Sequence, residues 1–212
     1  MSSPITLTTP DGQAAQVLTV PTSWADVSLG QYVALLAPSE GEPRTALDVL
    51  LGLEAGSLNQ LAADDVPYLA NLLEFANDHS PVLELLPTPG LPDVGTLPWG
   101  CLVLCQEHFR ENEERPALAS LPYVLAVYQC QLRYGNTNRL DQVLTTVLAE
   151  PVTAVYADAA FFSAAARRSL SGTPRTKATT VSPPTKNSTP AAKSWLNDLG
   201  LRWPWTRSPK AT

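Results

Sequence analysis

Residues 121–132 read LPYVLAVYQCQL, and they supply the segment around which a core can be built. Apolar residues that recur every three or four positions mark one face of an α-helix. This segment is apolar on nearly every face, so we expect a helix in the centre of the core. The side chains that carry this expectation are Leu121, Leu125, Tyr128 and Leu132, with Val124 and Val127 between them.

Helical spacing continues on both sides of this segment. Downstream, residues 140–148 and 152–170 predict two more helices, and the second has a buried stripe of Val155, Ala159, Phe162 and Ala166. Upstream, residues 29–37, 44–53 and 65–77 predict three helices, and a fourth begins at Thr96 or Pro98 and ends near Phe109. Two of these starts have predicted caps: Asp64, and Ser28 with Gln31 at the spacing of a capping box.

The first twenty residues have a different pattern. Residues 5–9 and 15–20 are alternating or β-branched runs on either side of Pro10-Asp11-Gly12, which predicts a β-hairpin over residues 4–20. We therefore expect a mainly α fold: an N-terminal β-hairpin followed by an orthogonal multi-helix bundle over residues 28–170. The proline- and glycine-rich residues 86–98 are the predicted junction if the bundle has two lobes.

The chain of 212 residues divides into an acidic and a basic part. Residues 1–166 hold nineteen acidic and five basic side chains, whereas residues 167–212 hold one acidic and nine basic ones. Composition changes at the same place, since residues 171–190 have four prolines and one aliphatic side chain larger than alanine, Val181. These features predict a folded acidic body over residues 1–170, a disordered linker over 171–190 and a basic tail over 191–212.

The basic tail is rich in tryptophan. Tryptophan is an efficient anchor in protein interfaces, so the tail is interpreted as a docking peptide for a partner, or as a segment that packs on its own body. The candidate partner-binding residues are Trp195, Leu199, Trp203 and Trp205.

Candidate catalytic and metal sites are weak. Cys101, Cys105 and His108 share one helical face, and Cys130 falls on a neighbouring helix, but cysteines at apolar positions are most often small buried hydrophobes. His79 is interpreted as a capping or turn residue. The acidic residues Glu107, Glu111, Glu113 and Glu114 are interpreted as a solvated face. We therefore expect no catalytic residues, no metal and no cofactor.

Other partners are excluded or disfavoured by composition. No apolar run approaches the roughly 18 residues that a membrane-spanning helix needs, and residues 1–10 do not resemble a signal peptide. The tail has no cluster of five cations, so nucleic acid is an unfavourable partner. We expect a cytoplasmic protein with no membrane contact, or one that leaves the cell only as part of a larger particle such as a virion.

Residues 20–32 read VPTSWADVSLGQY, which resembles the opening "P-x-S-W-x-[DE]-[VI]-[ST]-L-x-Q-[YF]" of small helical proteins encoded in phage and prophage tail modules. The segment Leu121-Pro122-Tyr123-Val124-Leu125-Ala126-Val127 and the Phe161-Phe162 pair also resemble that family. The likeness extends over residues 17–170.

Some proteins of this kind are similar to tail assembly chaperones, which hold the tape-measure protein while tail tube subunits polymerise. The resemblance implies a non-catalytic interaction factor in the bacterial cytoplasm, with tape-measure or other tail proteins as partners and with self-association as a further option. A structural virion subunit, such as a connector or baseplate component, is the alternative. An enzyme with an unrecognised site is a further, minor alternative.

Overall fold

The computed structural model of this chain describes residues 3–8, 14–37, 44–60 and 65–170. These ranges contain one two-stranded sheet and eight α-helices, so the predicted mainly α class with an N-terminal hairpin is confirmed. The division into body, linker and tail stays a prediction, because residues 171–212 lie outside the described ranges. In chain order the elements are β1 Ser3–Thr8, β2 Ala14–Val20, α1 Leu29–Leu36, α2 Ala46–Leu51, α3 Asp65–Leu72, α4 Ser80–Leu83, α5 Trp99–Glu111, α6 Leu121–Tyr134, α7 Leu140–Ala149 and α8 Val152–Leu170.

The hairpin attaches to the helical bundle through β2. Strand β1 pairs antiparallel with β2, with Ser3 opposite Val20 and an irregularity between Leu7 and Thr8. Leu18 and Val20 are buried, while the residues between and before them point to solvent, as the period of two requires. The predicted turn at Pro10-Asp11-Gly12 lies outside the described residues.

Helix α1 begins with the predicted capping box. The backbone N–H of Gln31 donates to Ser28 Oγ at 3.1 Å, and the backbone N–H of Ser28 donates to Gln31 Oε1 at 2.9 Å. The Gln31 side chain also donates to the Leu50 carbonyl oxygen at 3.0 Å, so one residue caps α1 and ties it to α2. Helix α2 is shorter than predicted because Thr45 caps it with Asp48, and Gly52 in the left-handed region ends it.

Replacing Ser28 by alanine is expected to lower the free energy of unfolding by about 1 kcal/mol, the usual loss for a helix N-cap. The substitution leaves the Gln31 N–H without its acceptor at the start of a helix that buries Leu29 and Tyr32. Urea unfolding of the variant measures the loss. Ser169→Ala is the control, since that hydroxyl bonds only a carbonyl of its own helix at the surface. Equal midpoints for the two variants would contradict a contribution from the cap.

Helix α6 lies in the centre of the core, as predicted. Leu125 is only 2% exposed, and α6 packs against α5, α7 and α8. Tyr128 stacks on Phe162 of α8 with ring centres 3.5 Å apart. One position of the predicted stripe is wrong: Leu132 is 54% exposed, because it lies in the last turn of α6, beyond the level at which its neighbours cover it. The buried residues of α6 are Leu121, Pro122, Val124, Leu125, Ala126, Val127, Tyr128 and Cys130.

Helix α8 has the predicted limits and the predicted buried stripe. Val155, Ala159, Phe162 and Ala166 are all buried. Its start is held to the beginning of α1, because the Val152 N–H donates to the Val27 carbonyl oxygen at 2.8 Å. Within the described ranges, every helix is too short or too polar to span a bilayer.

The connection between α4 and α5 packs along α8. Its only regular element in the described structure is the short 3-10 helix Val94–Thr96, where Val94 is buried in the same cluster as Leu29 and Val124. The Thr88 backbone N–H and hydroxyl donate to the Asp158 carboxylate at 2.7 and 2.9 Å. These two bonds fix the connection to the middle of α8.

Candidate interaction surface

The predicted partner-binding residues of the tail lie outside the described residues. Trp195, Leu199, Trp203 and Trp205 all follow residue 170, so their role stays a prediction. The candidate surface on the body must therefore be built from the residues that the structure describes.

The cysteine and histidine cluster on α5 has the properties of a packed core. Cys101, Cys105 and Cys130 are free and buried. Burial raises the pKa of Cys105 to about 12 and raises that of Cys101, so both thiols stay protonated near neutral pH. The His108 ring stacks flat on Tyr123 at 4.0 Å, and burial lowers its pKa. No group of three His, Cys, Asp or Glu side chains that could hold a metal ion is present among the described residues.

The acidic residues that follow this cluster face solvent. Glu107, Glu111, Glu113 and Glu114 are all exposed, which confirms the predicted solvated face.

The interpretation of His79 as a capping residue is confirmed for its position, because it is the N-cap of α4 and its carbonyl oxygen accepts from the N–H groups of Val82 and Leu83. His79 directly precedes α4, but its side chain makes no capping hydrogen bond there. Its ring lies 4.9 Å from that of Trp24 and 5.7 Å from that of Tyr32, inside an aromatic cluster. Trp24 Nε1 also donates to the Asp78 carbonyl oxygen at 2.7 Å, which holds the chain beside the indole. His79 is therefore a half-buried packing residue that joins α4 to the segment before α1.

We expect His79 to make the fold less stable as the pH falls from about 7 to 5. Burial lowers its pKa below the ordinary 6.5, and the neighbouring Asp78 opposes that shift. The unfolded chain then takes up the proton at a higher pH than the folded one, so stability is complete above the unfolded pKa. It is lost as the pH falls through that value toward the folded pKa. Urea midpoints at several pH values should decline less steeply for His79→Gln than for the natural chain. His108, whose pKa is lowered in the same direction, remains in both proteins. Parallel declines would contradict the assignment to His79.

Exposed large apolar side chains are concentrated at one end of the helix bundle. Six such residues occur among those described, and Val17 and Tyr68 lie elsewhere, on β2 and α3. The other four belong to α5, α6 and the connection before α5: Leu86, Trp99, Leu132 and Tyr134.

Contacts between α5 and α6 show that these two helices end together. The Cys101 thiol donates to Gln131 Oε1 at 3.6 Å near one end, and His108 stacks on Tyr123 near the other. Residue numbers rise along α5 as they fall along α6, so the helices are antiparallel. The first residue of α5 is therefore level with the last turn of α6.

Contacts of α8 with α5 and α6 show which of its residues lie level with the ends of those two helices. Tyr128 stacks on Phe162, and the Arg167 guanidinium lies 4.1 Å from the centre of the Phe109 ring. Helix α8 is thus antiparallel to α6 and parallel to α5. Asp158, one turn before Phe162, is level with the start of α5 and the end of α6.

Three exposed apolar side chains lie at about this level of the bundle. Trp99 is 69% exposed at the first position of α5, and Leu132 is 54% exposed in the last turn of α6. Leu86 is 73% exposed and lies two residues before Thr88, which is bonded to Asp158. We call Leu86, Trp99 and Leu132 the apolar face. Sequence reasoning missed it, because its members come from three separate segments.

Charged residues of both signs lie at the level of the apolar face or next to its members in the sequence. Asp158 lies at its level, and Asp93 begins the short 3-10 helix that contacts α8. Arg133 follows Leu132 on α6, and the Arg139 guanidinium lies 4.9 Å from the centre of the Tyr134 ring.

Comparison of the chain with models of protein families, with curated proteins and with solved structures finds no match.

Proposed function

We propose that this chain is a non-catalytic interaction factor of phage tail assembly, a chaperone that holds the tape-measure protein. The observation that carries the proposal is the apolar face. Exposed tryptophan and leucine side chains on the body suit contact with an apolar client, since exposed apolar side chains that form a patch mark interaction sites. The resemblance of residues 20–32 to tail-module proteins supports the choice of client.

A second contact in the tail suits the same function. A chaperone has to bind its client and later release it. Two weak contacts joined by a tether give useful avidity, because tethering raises the effective concentration of the second contact to about the millimolar range. Weak contacts also separate one at a time, which favours release. In this proposal the apolar face is one contact, and Trp195, Trp203 and Trp205 supply the other.

Trp99→Ala is expected to weaken binding of the tape-measure protein about tenfold, since truncating a central interface residue commonly costs more than 1 kcal/mol. Tyr68→Ala is the matched control, because Tyr68 is also an exposed aromatic residue on a helix but lies on α3. Titration of the purified client against both variants measures the change. Equal affinities for the two variants would remove the apolar face from the client-binding surface.

The composition of purified tails tests the proposal against a structural virion subunit. A chaperone leaves the particle before assembly is complete, so mature tails should lack this chain. Its presence in many copies per tail would favour a connector or baseplate component.

A further inference from the structure

We propose that His108, Arg115 and Arg167 form a binding site for a carboxylate group. The site lies where α5 ends, whereas Trp99 of the apolar face occupies the first position of the same helix. The proposal therefore goes beyond the proposed function and depends neither on the client nor on the apolar face.

Two side chains of the site have buried N–H groups that lack a hydrogen-bond partner. They are the His108 ring, through Nε2, and the Arg167 guanidinium, through Nε. A buried donor without an acceptor costs free energy, and such donors are uncommon in native proteins. A ligand that brings oxygen acceptors would remove this cost at both groups.

The bonds of Asn112 show that the buried ring nitrogen of His108 is a donor. Asn112 Nδ2 donates to the His108 carbonyl oxygen at 2.9 Å and lies 3.4 Å from His108 Nδ1. An amide nitrogen only donates, so Nδ1 accepts, and the neutral ring carries its proton on Nε2. Burial is the largest cause of the lowered pKa of His108, so the ring is neutral near pH 7.

Contacts around the end of α5 bring both arginines near this ring. The Arg167 guanidinium lies 4.1 Å from the centre of the ring of Phe109, the residue that follows His108. The Arg115 backbone N–H donates to the Asn112 carbonyl oxygen at 3.0 Å, so the chain beyond α5 turns back toward the residue that bonds His108. After burial and the opposing charge of Glu111, the charges of the two arginines also lower the pKa of His108.

The donors suit a carboxylate better than a phosphate. A guanidinium presents parallel N–H groups that match the two oxygens of a carboxylate, and the neutral imidazole adds a further donor. Acidic groups lie nearby as well. Glu111 acts on His108, and the Tyr123 ring, which stacks on His108 at 4.0 Å, has Glu107 and Asp141 among its charged neighbours. These carboxylates repel a dianion about twice as strongly as a monoanion.

The site reaches the surface through its arginines. Arg115 is exposed, and His108 and Arg167 are partly buried. Exposed side chains change rotamer within nanoseconds, so a carboxylate can reach the two buried donors when the arginine side chains move.

NMR spectroscopy of the ¹⁵N-labelled full-length chain tests the site through the histidine ring nitrogens. The protein has two histidines, and His79, in the aromatic cluster, is the internal control. Sodium acetate is titrated at an ionic strength held constant with sodium chloride. The Nε2 signal of His108 should shift in a saturable way, and the pKa of its ring should rise, because a bound carboxylate favours the charged form. The His79 signals should not follow.

Substitutions of single arginines show which charges bind the acetate. Arg167→Gln should weaken binding about tenfold, the loss of a charge-assisted hydrogen bond. Arg115→Gln should weaken it about threefold, because an exposed charge contributes less. Arg133→Gln is the matched control, since it removes the same charge in the last turn of α6, at the other end of the helix from Tyr123, and should leave the affinity unchanged. Circular dichroism of each variant shows whether the helices are retained, and the exposed Arg115 keeps the test valid if Arg167→Gln does not fold.

A capped peptide with a single glutamate distinguishes two sources of the carboxylate. Tighter binding of this peptide than of acetate supports the site and assigns it to an acidic side chain of a partner protein. Equal binding supports the site and assigns it to small organic acids.

Three results would overturn the proposal. The first is a response of His108 to acetate no larger than that of His79. The second is an equal loss of affinity in Arg167→Gln and Arg133→Gln, and the third is tighter binding of inorganic phosphate than of acetate. A failed client titration changes none of these results, so the two proposals are tested separately.

Discussion

Replacing Leu125 by alanine should lower the free energy of unfolding by about 2–5 kcal/mol, the range for truncation of a buried leucine. Leu125 is 2% exposed on the central helix α6, and the atoms removed would leave a cavity between α6 and its packed neighbours. Urea unfolding monitored by helical circular dichroism measures the change.

The matched control for this prediction is Leu132→Ala on the same helix. The substitution Leu132→Ala removes the same atoms, but Leu132 is exposed. We therefore expect the free energy of unfolding to fall by no more than about 0.5 kcal/mol. Equal losses for the two variants would show that α6 does not pack in the centre of the core.

Removal of residues 191–212 is expected to weaken binding of the tape-measure protein about ten- to a hundredfold, the modest end for losing one of two linked contacts. The body keeps its core in this variant, because the described buried cluster extends only from Leu18 to Ala166. Helicity should therefore be unchanged.

The Trp99→Ala variant tests the contribution of the body separately, since it changes the apolar face and keeps the whole tail. Equal recovery of the client by full-length and truncated chains would reject the tail as an anchor. Packing of the tail on its own body would then be the better explanation for its tryptophans.

Local patterns were sufficient to predict most of the helices. The capping box at Ser28 and Gln31 involves residues three apart, so it could be recognised without any knowledge of the tertiary structure. Helix α8 was predicted with its observed limits because Pro151 precedes it and its stripe repeats regularly. Helix α2 was predicted too long, because the Thr45 and Asp48 capping box, which has the same spacing of three, was not recognised, and Gly52 ends the helix before Leu53.

Features that depend on tertiary contacts were not predictable. Leu132 continues the apolar spacing of α6, and only the antiparallel register with α5 shows that it lies where the helix pair ends. His79 lies in a local sequence typical of a turn, yet its ring packs on Trp24, 55 residues away along the chain. The apolar face could not be predicted, because its residues come from three segments whose relative positions depend on the tertiary structure. The sequence around Trp99 indicates only that a tryptophan follows Pro98 at a helix start.

Co-purification tests the central claim most directly. The full-length chain, tagged at its N-terminus, is expressed together with a tape-measure protein, the client that the proposal names, and the client is measured in the eluate. We expect recovery of the tape-measure protein with the natural chain and with Tyr68→Ala, and reduced recovery with Trp99→Ala. Absence of the tape-measure protein from the eluate of the natural chain, with both proteins present in the lysate, would contradict the proposed function.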